Sequence, residues 1–204
     1  MSILISPKDL HGLDIGRTIG GIAWPADKSG YAVVVGEERM TRKGGNVRHC
    51  HVLAEVEQWK KGELIRQCVE LQGLYNTIGF YVRRTQANMN FIYEWNADAR
   101  KRRLEPLDFN PAPMSETGAI GYHIDVLLQR LDQTKKSLYL NRGDIALKLD
   151  IPHEEYADAT DSKFPAIAAL GYAVATLDTY EPPDEESEDD ASSYATGRSW
   201  ATGY

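Results

Sequence analysis

Residues 26–38 read ADKSGYAVVVGEE, and the fold is decided there. Ala26–Gly30 (ADKSG) is turn chemistry, and the β-branched run that follows predicts a strand over Gly30–Glu37. Upstream, Leu10–Thr18 (LHGLDIGRT) reads as a short strand that runs into a glycine-containing turn. Downstream, Arg39–Val47 (RMTRKGGNV) reads as a basic, hairpin-like loop. His49–Val56 (HCHVLAEV) reads as a third strand, antiparallel to the second. The period then changes. Leu64, Ile65, Cys68, Leu71 and Tyr75 recur at helical spacing.

The remaining chain continues in the same mixed manner. Thr77–Val82 (TIGFYV) is a short apolar run suited to a buried strand, and Asn88–Leu104 predicts a helix with a basic end, Arg100–Arg103. Pro106, Pro111 and Pro113 break the pattern. His123–Leu131 predicts an amphipathic helix, Leu138–Asn141 a brief strand and Ile145–Leu149 a helical turn. Lys163–Asp178 predicts an alanine-rich, buried helix. No internal repeat is present. Three leading strands, then a helix, a buried strand and more helices describe a layered α/β domain.

At 204 residues and 42% apolar composition, one domain with an appendage is expected. No apolar run reaches the roughly 18 residues of a membrane span, and MSILISPKDL has no secretory pattern. Cys50 and Cys68 make no disulfide framework and no CxxC. These features suit a cytoplasmic protein with ordinary buried thiols. The net charge of −7 is concentrated after Tyr180, where seven acids face one base, Arg198. The expected division is therefore a domain at 1–180 and an acidic tail at 181–204. EPPDEESEDD has nothing to bury and should be disordered. Tyr194, Trp200 and Tyr204 make the tail either a docking segment or merely a solubilising one.

Carboxylates carry the candidate chemistry. Asp14 interrupts an apolar strand pattern, where an unpaired charge is costly. Asp158 and Asp161 precede the alanine-rich helix, and Asp27 precedes the central strand. Carboxylates that converge need a cation, and Mg²⁺ or Mn²⁺ meets that need. Each acid also has a plainer role: Asp14 as a cap on the Gly16 turn, Asp161 as a helix N-cap, Asp27 as a turn residue.

The order of these pieces resembles the ribonuclease H-like superfamily, and within it the nuclease domain of phage terminase large subunits. The resembling stretches are HGLDIGRT (11–18), ADKSGYAVVVGEE (26–38), HVLAEVEQW (51–59), IGFYVRR (78–84) and DATDSKFPAIAALGYAVATL (158–177). The resemblance implies a mixed sheet flanked by helices. It further implies a metal-dependent DNA endonuclease, with Asp14, Asp161 and Asp158 as catalytic ligands of Mg²⁺ or Mn²⁺. Double-stranded DNA would be the substrate, and an ATPase or portal-type packaging protein a partner reached through the tail. The chain has no GxxxxGK[ST] phosphate loop of its own.

Two positions depart from that pattern. The family places a carboxylate at the end of the fourth strand, whereas Ile78–Arg84 has none and Arg83 falls there. Ala168 stands where an aspartate is expected before Ala-Leu. Asp27, Glu57 or Glu94 could complete the site, or catalysis could be lost, leaving a scaffold that binds DNA or a packaging partner. A junction resolvase of the same superfamily is the third reading. Arg83, Arg84, Arg100, Lys101, Arg102 and Arg103 are expected to line a phosphate-binding face, a solvated helix end being the alternative for the last four. His49 and His51 alternate without a third metal ligand, and Trp24, Trp59 and Trp95 read as core or interface residues.

Overall fold

The computed structural model describes residues 3–4, 13–38, 49–112, 127, 138–139 and 164–179. Its elements are β1 (Ile3–Leu4), β2 (Ile15–Ala23), β3 (Gly30–Glu38), β4 (Cys50–Gln58), α1 (Lys61–Tyr75), β5 (Phe80–Val82), α2 (Gln86–Lys101), β6 (Phe109–Pro111), β7 (Leu138–Tyr139) and α3 (Pro165–Thr179). One mixed sheet has the order β1-β4-β3-β2-β5-β6, with β7 also on β4. The meander β2-β3-β4 is antiparallel, and β5 and β6 run parallel to β2. Helices cover both faces of this sheet. The chain thus has an α/β architecture, a mixed sheet flanked by helices, as the sequence resemblance implies.

Two cores follow from strand alternation. On one face Ile19, Ala23, Tyr31, Val33 and Val35 pack against α3. On the other, Ile22, Ala32, Val34 and Leu53 pack against α1, and Phe80 and Val82 join them. Ala166 to Leu177 are buried without interruption, so α3 is apolar all round, as its composition predicted.

The first strand differs from expectation. It begins at Ile15 rather than Leu10, runs on to Ala23, and carries Gly16 at a bulge instead of a turn: Ile15 pairs with Glu38 and Arg17 with Glu37. Its inner glycines are contact residues. A Cβ on Gly21 would lie 1.9 Å from the Ala169 carbonyl oxygen, and one on Gly20 would lie 2.2 Å from the Phe80 ring. Small residues there let α3 and the ring lie directly on the backbone.

Buried polar groups fix the connections. Thr18 Oγ1 donates to the Tyr75 carbonyl at 2.8 Å, tying the end of α1 to β2. Asn96 exchanges two 2.9 Å bonds with Leu107, and Gln72 Oε1 accepts from Asp108 N at 2.8 Å. These bonds hold the turn that returns the chain to β6, a strand concealed in the sequence by Pro111. Edge position explains how proline is tolerated there, since β6 pairs with β5 at one end of the sheet order.

The expected loop at 39–47, the helical turn at 145–149, the tail 181–204 and, Leu127 apart, the helix at 123–131 lie outside the described residues. Leu127 itself is helical and buried. Among the described residues, no helix is long and apolar enough to cross a membrane.

Candidate functional site

Parallel strands direct their carboxyl ends to one side of the sheet, and ligands of open α/β sheets bind outside those ends. Here β2 ends at Ala23, β4 at Gln58 and β5 at Val82. Each of α1 and α2 starts within a few residues of such an end. Gly21 lies under Ala169 and Ala173, and Arg17 Nη2 reaches the Leu177 carbonyl at 3.2 Å. Helix α3 therefore runs antiparallel to β2, with its first turn at the Ala23 end. All three helices present their N-termini, which carry partial positive charge, on this side.

The strand ends themselves carry no acid at β2 and β5. Ala23 is buried, and Ala168, in the first turns of α3, belongs to the same apolar cluster. Ile22 pairs with Val82, so Arg83 follows beside Ala23. Val82 faces the α1 side and Tyr81 the α3 side, and continued alternation puts residue 83 on the face of Tyr81. Three positions thus converge at this end, and at two of them, 83 and 168, the resemblance implies carboxylates. The three hold Ala23, Arg83 and Ala168.

A hydrogen-bonded hinge of side chains joins this end together. Trp24 Nε1 donates to Asn88 Oδ1 at 2.5 Å, Asn88 Nδ2 donates to the Arg83 carbonyl at 3.1 Å, and the Thr85 hydroxyl caps α2 by accepting from Asn88 N at 3.2 Å. Around it, among the described residues, stand five cations: Lys28 in the β2–β3 turn, Lys60 and Lys61 at the start of α1, and Arg83 and Arg84 after β5. Lys61 Nζ lies 5.9 Å and 5.8 Å from the ring centroids of Trp24 and Phe91. Asp27 is exposed in the same turn, and Glu57 accepts from the Ser29 hydroxyl. From β4 to β5 this edge spans three inter-strand steps, about 14 Å.

Several sequence expectations change in this frame. Asp14 is exposed and precedes β2, so no penalty of burial attaches to its charge. It also lies at the opposite end of that strand, nine residues or about 30 Å from Ala23, and is therefore far from Arg83. Arg100, Lys101, Arg102 and Arg103 do not share a face with Arg83 and Arg84, because the 16 residues of α2 separate the two groups by about 24 Å. Arg102 pairs with Asp98 at 2.9 Å on the solvated helix end. Trp59 is no core residue: it is 73% exposed. Glu94 is exposed on α2, and Asp158 and Asp161 lie outside the described residues. Among the described residues, no three His, Cys, Asp or Glu side chains cluster as a metal site would require.

The lysines were legible but unread. In QWKKGE (58–63), two lysines open a helix, where the macrodipole disfavours cations. That conflict was the feature of the sequence that could have drawn notice to them. The far end of the sheet is occupied by internal pairing instead. Arg17 pairs with Glu37, His51 bonds Glu38 at 2.6 Å, and His51 stacks on Tyr139 with centroids 4.9 Å apart.

On the α1 surface, the Arg66 hydrogen bond holds the Glu63 carboxyl below its ordinary range, and Glu63 in turn raises the Arg66 guanidinium. Burial pushes the Cys68 thiol up, and Cys50 is fully buried. A thiolate-specific disulfide reagent should therefore label neither cysteine in the native protein and both in denaturant; native-state labelling of Cys68 would show that α1 opens readily.

No protein-family model and no curated protein sequence matches the chain. Among solved structures, it is similar to the fowlpox virus Holliday junction resolvase at 13% identity, covering 79% of this chain and 96% of that one, with a TM-score of 0.41. It is also similar to the large terminase of a thermophilic bacteriophage at 12% identity, covering 86% of this chain and 42% of that one, with a TM-score of 0.47. The chain thus spans less than half of the terminase.

Proposed function

We propose that this protein is a ribonuclease H-like scaffold that binds DNA at the carboxyl edge of its sheet without cutting it there. The observation that carries this reading is that Arg83 and Ala168, at two positions where the resemblance implies carboxylates, meet the buried Ala23 at the converging strand and helix ends, among five cations that include Arg83. Carboxylates there would gather divalent cations. A guanidinium, two lysines at a helix start and three helix N-termini gather phosphates instead. Arg83 is thus the residue that converts the polarity of the edge.

A metal-dependent endonuclease of the packaging type, or a junction resolvase, is the second reading. Helix α3 begins at this edge, and Asp161 precedes Pro165 by four residues of chain, a reach of at most about 14 Å. Asp161 and Asp158 could then act with Asp27 on Mg²⁺ or Mn²⁺. Asp14 is a poor member of that set, since an ion it shared with Asp161 would have to bridge the length of β2.

DNA affinity measured across salt concentrations separates these assignments. Replacing Lys60, Lys61 and Arg84 by alanine should reduce the slope of log affinity against log salt by about 2 to 3. Replacing Arg100, Lys101 and Arg103 should leave it unchanged; the reverse pattern would move the interface to the other end of α2. Plasmid incubated with Mn²⁺ should remain uncut. Nicking that disappears in Asp161→Asn would establish the second reading in place of the first.

A further inference from the structure

We propose that Trp59 is a base-stacking platform and that the nucleic acid held at this edge is single-stranded; this deepens the DNA-binding reading above and rests on it. Trp59 occupies the short link between β4 and α1, with its backbone N–H on Gln58 Oε1 at 2.9 Å and its indole 73% exposed. It is the most exposed large apolar side chain among the described residues, and Lys60 and Lys61 follow it directly. Because Gln58 is in register with Gly30, the indole emerges beside the turn that carries Lys28.

An indole left in water among cations is suited to a partner that offers both phosphate and a flat apolar face. Single strands offer both. A duplex hides its base faces in the stack and presents phosphates and groove edges to a flat surface such as this. A protein partner could also use an exposed tryptophan, but the surrounding lysines and arginines favour a polyanion. The neighbouring aromatic, Trp24, is engaged with Asn88 and packs edge-on against Phe91 at 5.9 Å, which leaves Trp59 as the stacking group on this edge among the described residues.

The test uses the full chain with two probes, an oligothymidine of about 15 nucleotides and a duplex of the same length. Oligothymidine should bind more tightly and quench tryptophan emission, and the quenching should vanish in Trp59→Ala. That variant should lose about tenfold or more in affinity for the single strand and little for the duplex, while Trp59→Phe retains most of the binding. If Trp59→Ala binds oligothymidine as well as the wild type does, stacking is overturned, although DNA binding stands. Equal losses on both probes would overturn the single-strand preference. If neither probe binds the wild-type chain, the DNA-binding reading itself fails.

Discussion

Gly21→Ala should destabilise the protein by about 3 kcal/mol, the upper part of the range for overpacked cores. The added Cβ would lie 1.9 Å from the Ala169 carbonyl oxygen and 2.9 Å from its carbonyl carbon. Both are backbone atoms of a helix, so no side-chain rotation relieves the overlap. Helix α3 must move off β2 or the strand must bow, and either disturbs a face on which Ile19, Ala23 and Ala173 are buried together. The expected loss of melting temperature is about 6–12 °C for a chain of this size. Gly62 and Gly73 in α1 are the controls. A Cβ there meets nothing within 4 Å, so alanine should stabilise by about 0.5–1 kcal/mol through helix propensity. Urea midpoints at constant m-value would display both signs. A wild-type midpoint for Gly21→Ala would mean that α3 does not lie directly on β2.

Installing carboxylates at positions 23, 83 and 168 should create a metal dependence, which on the proposed reading is absent from the wild type. Ala23→Asp alone puts an acid where exposure is 1%, and a buried charge without a full set of partners costs about 3–5 kcal/mol. Adding Ala168→Asp and Arg83→Glu crowds three carboxylates and deepens the loss at neutral pH. Mn²⁺ should then restore stability, by about 2.7 kcal/mol at a hundredfold excess over its dissociation constant. Wild-type melting should not respond to the ion. Calorimetry of both proteins with and without Mn²⁺ gives the comparison. A triple variant indifferent to metal would show that the three positions do not converge; a wild type strongly stabilised by metal would favour an acid set drawn from Asp158 and Asp161.

Elements whose burial follows a regular period were readable in advance. Tyr31–Val35 forms a buried strand because both its faces are covered, and Leu64, Ile65, Cys68, Leu71 and Tyr75 mark the inner stripe of α1. Helix α3 was legible from composition. By contrast, β2 was misplaced because Gly16, Gly20 and Gly21 mimic turn residues while serving a bulge and two close approaches. That displacement carried the site with it. With the strand set too early, Asp14 looked like its functional end, and Ala23, the actual end, drew no notice. A small apolar residue gives no chemical signal of its own; only the parallel register with Val82 reveals its position. The cation group was scattered over Lys28, Lys60, Lys61, Arg83 and Arg84, and only the sheet assembles it.

The packing of α3 on β2 has a consequence for how the chain is made. Arg17 and Leu177 meet although they are 160 positions apart, so the first long strand waits for the last of the described helices. Contacts of such separation slow folding, because loop closure must precede any gain from them. During synthesis at about 5–20 residues per second, the meander emerges with Ile19, Tyr31, Val33 and Val35 incompletely covered on one side until Ala166–Leu177 arrives. That interval invites sheet-to-sheet association and makes the newborn chain a client for holding chaperones. A product terminated before Pro165 would lack the cover of α3 on that face permanently, and its expected fate is aggregation or proteolysis.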